Sequence, residues 1–265
     1  MPPAKKKRPR AYDFVKTRAA VLAQFDAVRT GVDSLTPAQL DGPTRLGAWN
    51  VRELAAHITM AASAVARGLA AADAAKAELT PQDWPMTSAQ HAEDIDAYVT
   101  ELAAGNDLAA LYDEAGKGVE QALADHPADA LVANRTGHLT LADYLPTRCV
   151  ELVVHTDDLN AAVPGLDIPY DRQALATCTR VLADALATKA PGASTEVRIP
   201  PYAVVQCVEG PRHTRGTPPN VVETDPLTWI RLATGRLPWT TALDDALVSA
   251  SGERADLSGL LPIMA

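Results

Sequence analysis

Apolar residues recur at helical spacing up to about residue 162, and breaks in the spacing divide this part of the chain into four helical segments. The segments cover about residues 12–32, 50–75, 88–124 and 140–162. Gly105 and Asn106 interrupt the third segment, and Pro146 either kinks the fourth or marks its true start. Residues 35–49, rich in proline and glycine, are predicted to form a loop. Four helices with such connections predict a four-helix bundle.

The start of the second helix carries a capping signal. The side chain of Asn50 can cap the helix, and Glu53, three residues on, can reach back to the cap amide. The capping role already accounts for Glu53, so a part in metal binding is the weaker interpretation of this residue.

The pattern changes after Pro164 and Gly165. A helix over about residues 171–188 comes first, and alternating β-type runs then follow at residues 194–199, 203–209, 220–223 and 246–251. A compact helix lies among them, with Asp225 as its cap, Pro226 in its first turn and Gly235 after its end. The sequence therefore predicts a disordered basic tail at residues 1–11, a bundle at 12–165 and a small α+β domain at 166–265.

Charge and composition exclude several classes of function. The net charge is −9, although the first ten residues carry five positive charges, so the rest of the chain has 19 basic against 33 acidic residues, or −14. Such an acidic body repels phosphate backbones, which argues against nucleic acid as a partner of the folded part. No apolar segment is long enough to span a membrane, and the basic start lacks the apolar core of a secretory signal. The three cysteines are widely spaced, which favours a reduced, cytoplasmic protein. We expect a monomer or homodimer.

The fourth helix carries a stripe of ionisable side chains. Arg148, Glu151, His155 and Asp158 are separated by three, four and three residues, which places them within about 80° of the helix surface. The stripe can simply face water. Alternatively, Glu151 and His155, at i and i+4, can share one metal ion, and His57 on the second helix can complete the ligand set. A lone histidine on an apolar face is often only a core residue, but bundles build metal sites from inward-facing His and Glu.

Two histidines and one glutamate suit Zn²⁺ and leave a position open for chemistry, although other divalent ions accept the same ligands. Arg148 can hold a substrate carboxylate or pair with an acidic residue of the bundle. Asp158 can orient a ligand, take part in substrate binding or be solvated. The remaining histidines lack partners at ligand spacing and are predicted to be structural: His91, His126, His138 and His213. Cys149 is predicted to be packed.

Two motifs resemble a known family. The pattern W-x-x-x-E-L-x-x-H from Trp49 to His57 resembles the DinB-like superfamily, and R-x-x-E-x-x-x-H-x-x-D from Arg148 to Asp158 resembles its mycothiol-dependent maleylpyruvate isomerase branch. The segments GTPPNVVETDPLTWIRLATGR and SGERADL resemble the C-terminal domain of actinobacterial members. The resemblance implies a metal-binding four-helix bundle followed by an α+β domain related to sterol carrier proteins.

The resemblance also implies ligand roles for His57, Glu151 and His155, and mycothiol as a thiol co-substrate that adds to a double bond and is later eliminated. It implies an arginine from the C-terminal domain in the active site. We expect Arg236 to fill this role in the cleft between the domains, with Arg231 as the alternative; either can instead be an ordinary surface arginine.

The predicted function is a metal- and mycothiol-dependent isomerase or thiol transferase acting on a small anionic or electrophilic molecule, without assignment of maleylpyruvate itself. Two other functions stay open at this point. One is a small-molecule or lipid-binding protein, in which the bundle is a remnant, and the other is a metal-dependent hydrolase with water at the open position. The complete His, Glu, His set favours an enzyme, because a carrier has no need of it.

Overall fold

A computed structural model describes residues 10–87, 92–210 and 218–264. The helices of its N-terminal part are α1 (Phe14–Asp33), α2 (Pro37–Leu40), α3 (Val51–Ala70), α4 (Ala92–Gly105), α5 (Leu108–Asp125) and α6 (Leu141–Ala162). Helices α1, α3, α5 and α6 pack against one another as the predicted bundle, and α4 packs against α3. Their facing sides are apolar and fully buried at residues such as Leu54, Tyr112 and Leu145.

Local sequence signals explain most of these boundaries. Asn50 and Glu53 form the predicted capping box at the start of α3, and Asp107 caps α5 directly after the break at Gly105. The prediction for the end of α3 was wrong, because the helix stops at Ala70 rather than near residue 75. Pro146 lies inside α6, five residues after its start at Leu141, so it does not mark the start.

A short hairpin between α5 and α6 was not predicted. Strands β1 (Leu131–Asn134) and β2 (Gly137–Thr140) pair antiparallel and pack against α3. The backbone of the hairpin comes so close to α3 that a Cβ atom on Gly68 would lie 2.6 Å from the carbonyl oxygen of Ala133. A glycine is therefore needed at this contact.

The C-terminal part consists of helices and a four-stranded sheet, and it packs against the bundle through its first helix. Helix α7 (Arg172–Lys189) packs against α1 and α6 on one side and against the sheet on the other. The remaining elements are strands β3 (Thr195–Ile199), β4 (Ala203–Cys207), β5 (Val221–Thr224) and β6 (Val248–Ser251), with helices α8 (Pro226–Ala233) and α9 (Trp239–Asp244). The strand order is β4-β3-β5-β6, with β3 and β5 parallel and the other pairs antiparallel.

The predicted fold class, a helical bundle followed by a small α+β unit, is thus confirmed. All four β-type runs form strands, and Asp225, Pro226 and Gly235 delimit α8 as expected. Helix α9 was missed. Within the described residues, no helix is both long and apolar enough to cross a membrane.

The predicted basic tail lies mostly outside the described residues, which begin at Arg10. Arg10 donates a hydrogen bond to Asp184 of α7 over 2.7 Å, so the chain is held at this point. The predicted domain boundary near Val163 to Pro169 falls in the segment that joins α6 to α7, and it stays a prediction. Cys149, Cys178 and Cys207 are buried free thiols, as expected without a disulfide framework.

Candidate metal centre

Helices α3 and α6 bring three potential metal ligands together. His57 lies on α3, and Glu151 and His155 lie one turn apart on α6. One donor atom from each of the three residues lies within 4.8 Å of the other two. The Oε2 atom of Glu151 is 3.4 Å from Nε2 of His57 and 3.2 Å from Nε2 of His155. The two imidazoles thus converge on one carboxylate.

The ionisable stripe of α6 is buried, and the interpretation that it faces water was wrong. Arg148, His155 and Asp158 are 5%, 9% and 0% exposed. The reason is the position of α6, which packs against α1, α3 and α7 and therefore has little surface left for solvent. Buried ionisable groups need partners, and each of these has them.

His155 is oriented by Asp158, as the sequence suggested for that residue. The Nδ1 atom of His155 lies 2.9 Å from Oδ2 of Asp158. A hydrogen bond from Nδ1–H to the carboxylate orients the ring so that Nε2 faces Glu151 and His57.

Asp158 is in turn held by two arginines. Arg236 donates to both of its carboxylate oxygens, with distances of 3.2 Å from Nε and 3.0 Å from Nη2. Arg45, from the loop before α3, donates from Nε over 2.6 Å. Arg236 therefore reaches α6 and contacts the candidate metal site through Asp158, and a contact between Arg236 and a bound substrate stays a prediction.

The neighbouring residue, Asp157, forms a second cluster. Arg231 donates to it from Nη2 over 2.6 Å and from Nε over 3.0 Å, and the Tyr170 hydroxyl donates over 3.1 Å. Arg45 also contacts Asp157 through Nη2. A contact between Arg231 and a substrate stays a prediction, since the structure pairs this side chain with an aspartate.

Arg45 is the part of this arrangement that sequence reasoning missed. It stands in a segment that the sequence marks only as a loop, and its two acidic partners are more than a hundred residues away along the chain. No local spacing could have indicated it.

Arg148 lies beside Glu151 at the wall of a cavity. Its guanidinium packs near the rings of Tyr144 and Trp84, at 4.7 and 5.3 Å from their centroids. It donates to the carbonyl oxygen of Ala61 over 3.2 Å, and its Nη2 atom is 4.0 Å from Glu151. The sequence left open a substrate or a structural role, and the geometry is compatible with both.

The cavity itself has a volume of about 300 Å³ and is open to solvent on one side. His57, Glu151 and Arg148 are among the residues that line it, together with Asn134 and Thr136 of the β1–β2 hairpin. It is large enough for a small organic molecule to reach the convergent ligands.

The surroundings shift the pKa values of all three residues. Burial lowers the pKa of His57 below its ordinary value, so the ring is neutral and can act as a ligand. Burial also opposes charge on His155 and Glu151. The hydrogen bonds to Asp158 and Glu151 nevertheless raise the pKa of His155, and those from His155 and His57 hold the pKa of Glu151 well below its ordinary value. Glu151 is therefore a carboxylate between a neutral imidazole and one that holds its proton more tightly than usual. A divalent metal fits this donor set if it displaces that proton on binding.

His57 is less constrained than His155. Its ring lies 5.1 Å from the ring of Trp49 and 4.7 Å from that of His155. Its Nδ1 atom is buried, and no other described residue hydrogen-bonds to it.

The other candidate residues have structural surroundings. The carboxylate of Glu53 accepts from the Asn50 amide over 2.9 Å, as expected of a cap. His126 contacts the carbonyl oxygen of Ala122, and His138 lies 3.3 Å from Glu78. His91 and His213 lie outside the described residues.

Comparison with known proteins identifies the family to which the chain belongs. The family model for the mycothiol maleylpyruvate isomerase N-terminal domain matches residues 21–160, which is more than half of the chain. The chain belongs to this family. The model for the bacterial SCP ortholog matches residues 171–263.

Solved structures agree with this assignment at the level of the fold. The chain is similar to the crystal structure of the mycothiol-dependent maleylpyruvate isomerase, with 16% identity, a TM-score of 0.59 and coverage of 92% of this chain and 95% of that one. A histidine-to-alanine mutant of that enzyme gives the same TM-score and coverage at 15% identity. The comparison with curated proteins yields no match.

Proposed function

We propose that this protein is a metal-dependent enzyme that uses mycothiol as a co-substrate and catalyses an isomerisation or a thiol transfer. His57, Glu151 and His155 are its metal ligands. The observation that carries the proposal is the convergence of three donor atoms, one from each residue and all within 4.8 Å of one another, beside a cavity of about 300 Å³ that His57 and Glu151 line. A structural metal site would be closed, whereas this one faces a cavity.

Zn²⁺ is the metal we propose, because two imidazoles and a carboxylate with an open position match its preferences. A bound divalent ion would lower the pKa of a thiol and present it as a thiolate at neutral pH. The thiol that we propose is mycothiol, in line with the family to which the chain belongs.

Arg148 is the residue that we propose to bind an anionic substrate. It is buried at the cavity wall, and its hydrogen bonds run from Nη1 to Ala61 and from Nε to Thr147. Its Nη2 atom has only the 4.0 Å contact with Glu151 among the described residues, so it is available to a carboxylate group. The rings of Trp84 and Tyr144 hold the guanidinium in place and limit its access to water.

Metal analysis tests the ligand set. We expect about one equivalent of metal in the purified protein and none in the His57→Ala, Glu151→Ala and His155→Ala variants. His126→Ala is the matched control, because this exposed histidine contacts only a backbone carbonyl. A His57→Ala protein with full metal content would show that the ligand set is wrong.

Thermal shift with mycothiol, followed by a mycothiol-dependent isomerase assay on maleylpyruvate and related unsaturated acids, tests the activity. Metal binding and a mycothiol shift that both disappear with His155→Ala would support the proposal. Metal without any response to mycothiol would point to a hydrolase, and absence of metal would point to a carrier.

The domain limits are part of the proposal: a bundle at residues 12–165 and an α+β domain at 166–265, with the boundary between Val163 and Pro169. Limited proteolysis tests the termini, since we expect the first nine residues to be removed before either domain is cut.

A further inference from the structure

The carboxylate of Asp158 is fully occupied. Its Oδ2 atom accepts from His155 Nδ1 over 2.9 Å and from Arg236 Nη2 over 3.0 Å, while Oδ1 accepts from Arg45 Nε over 2.6 Å and from Arg236 Nε over 3.2 Å. A carboxylate offers about four acceptor positions, so all of them are used. Its orientation is therefore fixed from three directions, and the direction of the hydrogen bond to His155 is fixed with it.

Arg45 connects this carboxylate to its neighbour. Its Nε atom binds Asp158 while its Nη2 atom contacts Asp157, so one planar guanidinium spans two consecutive carboxylates. Both aspartates are buried, with side chains 0% and 3% exposed. Arg45 comes from the loop that leads into α3, the helix of His57, so it joins the two helices that carry the ligands.

The arginines of the C-terminal domain are also tied to each other. The backbone amide of Arg236 donates to the carbonyl oxygen of Arg231 over 2.7 Å, and Gly235 between them has a positive φ of 74° that allows this tight turn. Arg231 and Arg236 therefore meet Asp157 and Asp158 as one rigid unit.

We propose that Arg45 and Arg236 are positioning residues for the metal ligand His155, and that docking of the C-terminal domain is thereby coupled to metal affinity. The inference rests on the metal site of the proposed function. Neither arginine touches a ligand directly; both act through Asp158. Because coupling between two equilibria is reciprocal, metal binding also stabilises the docked C-terminal domain.

Electrostatic repulsion alone predicts the opposite change in metal affinity when either arginine is removed. Arg45 and Arg236 are cations close to a site for a divalent cation, so removal of either charge without change of geometry should strengthen metal binding. Loss of a group that orients a ligand should weaken it, as outer-shell partners of ligating histidines do by about 10- to 100-fold. The direction of the change therefore separates the two effects.

The test is the Zn²⁺ dissociation constant, measured by competition with a chromophoric chelator, for the full-length protein and four variants. We expect Arg45→Met, Arg45→Lys and Arg236→Lys each to raise it by about tenfold, the lower end of the outer-shell range. Lysine keeps the charge but cannot bridge two carboxylates or bind one through a fork. Arg198→Met is the matched control, because Arg198 pairs with Glu196 on the sheet, away from the site.

The Co²⁺-substituted protein gives a second measurement, since its visible absorption reports ligand geometry. We expect a changed spectrum for Arg45→Lys and Arg236→Lys, and an unchanged one for Arg198→Met. If the Arg45→Met protein does not fold, the measurements on Arg45→Lys still test the proposal.

The proposal is overturned by three results: unchanged affinity in Arg45→Lys and Arg236→Lys, tighter metal binding in Arg45→Met, or an equal loss in Arg198→Met. Each of these leaves the wild-type metal site intact. A wild-type protein without metal is a different result, because it removes the proposed function and the coupling together.

Discussion

Helices α3 and α6 hold their proposed metal ligands in different ways. On α6, His155 is fixed by Asp158, and two arginines fix that aspartate in turn. On α3, the ring of His57 has aromatic neighbours and a 3.4 Å contact with Glu151, while its Nδ1 atom has no hydrogen-bond partner among the described residues. One ligand is held by charged contacts and the other by packing.

The comparison shows what each half of the site depends on. Substitutions near α6 should act on metal affinity through orientation, because the polar contacts there are directional. Substitutions of the residues that pack beside His57 or cap the start of α3 should act on the stability of the helix and leave the affinity nearly unchanged. Four predictions test this division.

The largest effect is expected at Glu151, which both histidines share. Glu151→Gln removes the anionic donor, so we expect metal affinity to fall by more than about 100-fold, beyond the range of outer-shell changes. Glu53→Gln is the control, because glutamine also serves in a capping box. Metal content and the Zn²⁺ dissociation constant are the measurements, and a Glu151→Gln protein with full metal would contradict the prediction.

The comparison between the two helices is tested most directly by Asp158→Asn and Trp49→Leu. Asp158→Asn should weaken metal binding by about 10- to 100-fold, because the amide cannot hold His155 and the arginines as the carboxylate does. Trp49→Leu removes the ring beside His57 and should change the affinity little. An equal loss of metal affinity in Asp158→Asn and Trp49→Leu would mean that His57 is as tightly oriented as His155.

The contact between α3 and the hairpin should govern stability. An alanine at position 68 places Cβ 2.6 Å from the carbonyl oxygen of Ala133, so Gly68→Ala should lower the free energy of unfolding by about 1–3 kcal/mol. Gly118→Ala, on α5, has open space around the new atom and should stabilise by about 0.4–1 kcal/mol. Urea unfolding measures the free energy of unfolding of both variants. Similar values for Gly68→Ala and Gly118→Ala would show that α3 and the hairpin can move apart at little cost in stability.

The smallest effect is expected at the start of α3. Asn50→Ala removes the side chain that accepts from the Glu53 amide, and should lower the free energy of unfolding by about 1 kcal/mol. Asn50→Asp keeps a capping oxygen and is the control. A change in metal affinity for Asn50→Ala larger than that for Asp158→Asn would reverse the division between the two helices.

Much of this site could be predicted from the sequence because its signals are local. Glu151 and His155 stand at helical spacing, and Asn50 with Glu53 marks where the helix of His57 begins. The strands of the C-terminal domain were predicted because alternating residues such as Val197 and Ile199 face one buried side.

The features that the sequence did not predict depend on contacts between distant segments of the chain. The β1–β2 hairpin has one fully buried residue in each strand, Val132 and Leu139, and it is supported by packing on α3. The alanines after Ala70 favour helix by propensity, yet the helix ends there, since tertiary context overrides that preference. Arg45 acquires its role only when the loop, α6 and the C-terminal domain meet.

The paired aspartates also limit how freely the two halves of this protein can be exchanged in evolution or by engineering. Separate family models match the two halves, as though they were interchangeable modules. A foreign C-terminal domain without arginines at the matching positions would leave Asp157 and Asp158 as adjacent buried carboxylates with Arg45 as their shared cation, and only Asp158 would keep its hydrogen bond with His155. Breaking buried pairs in this way costs about 3–5 kcal/mol, so a chimera would need substitutions at both aspartates before its bundle could fold well.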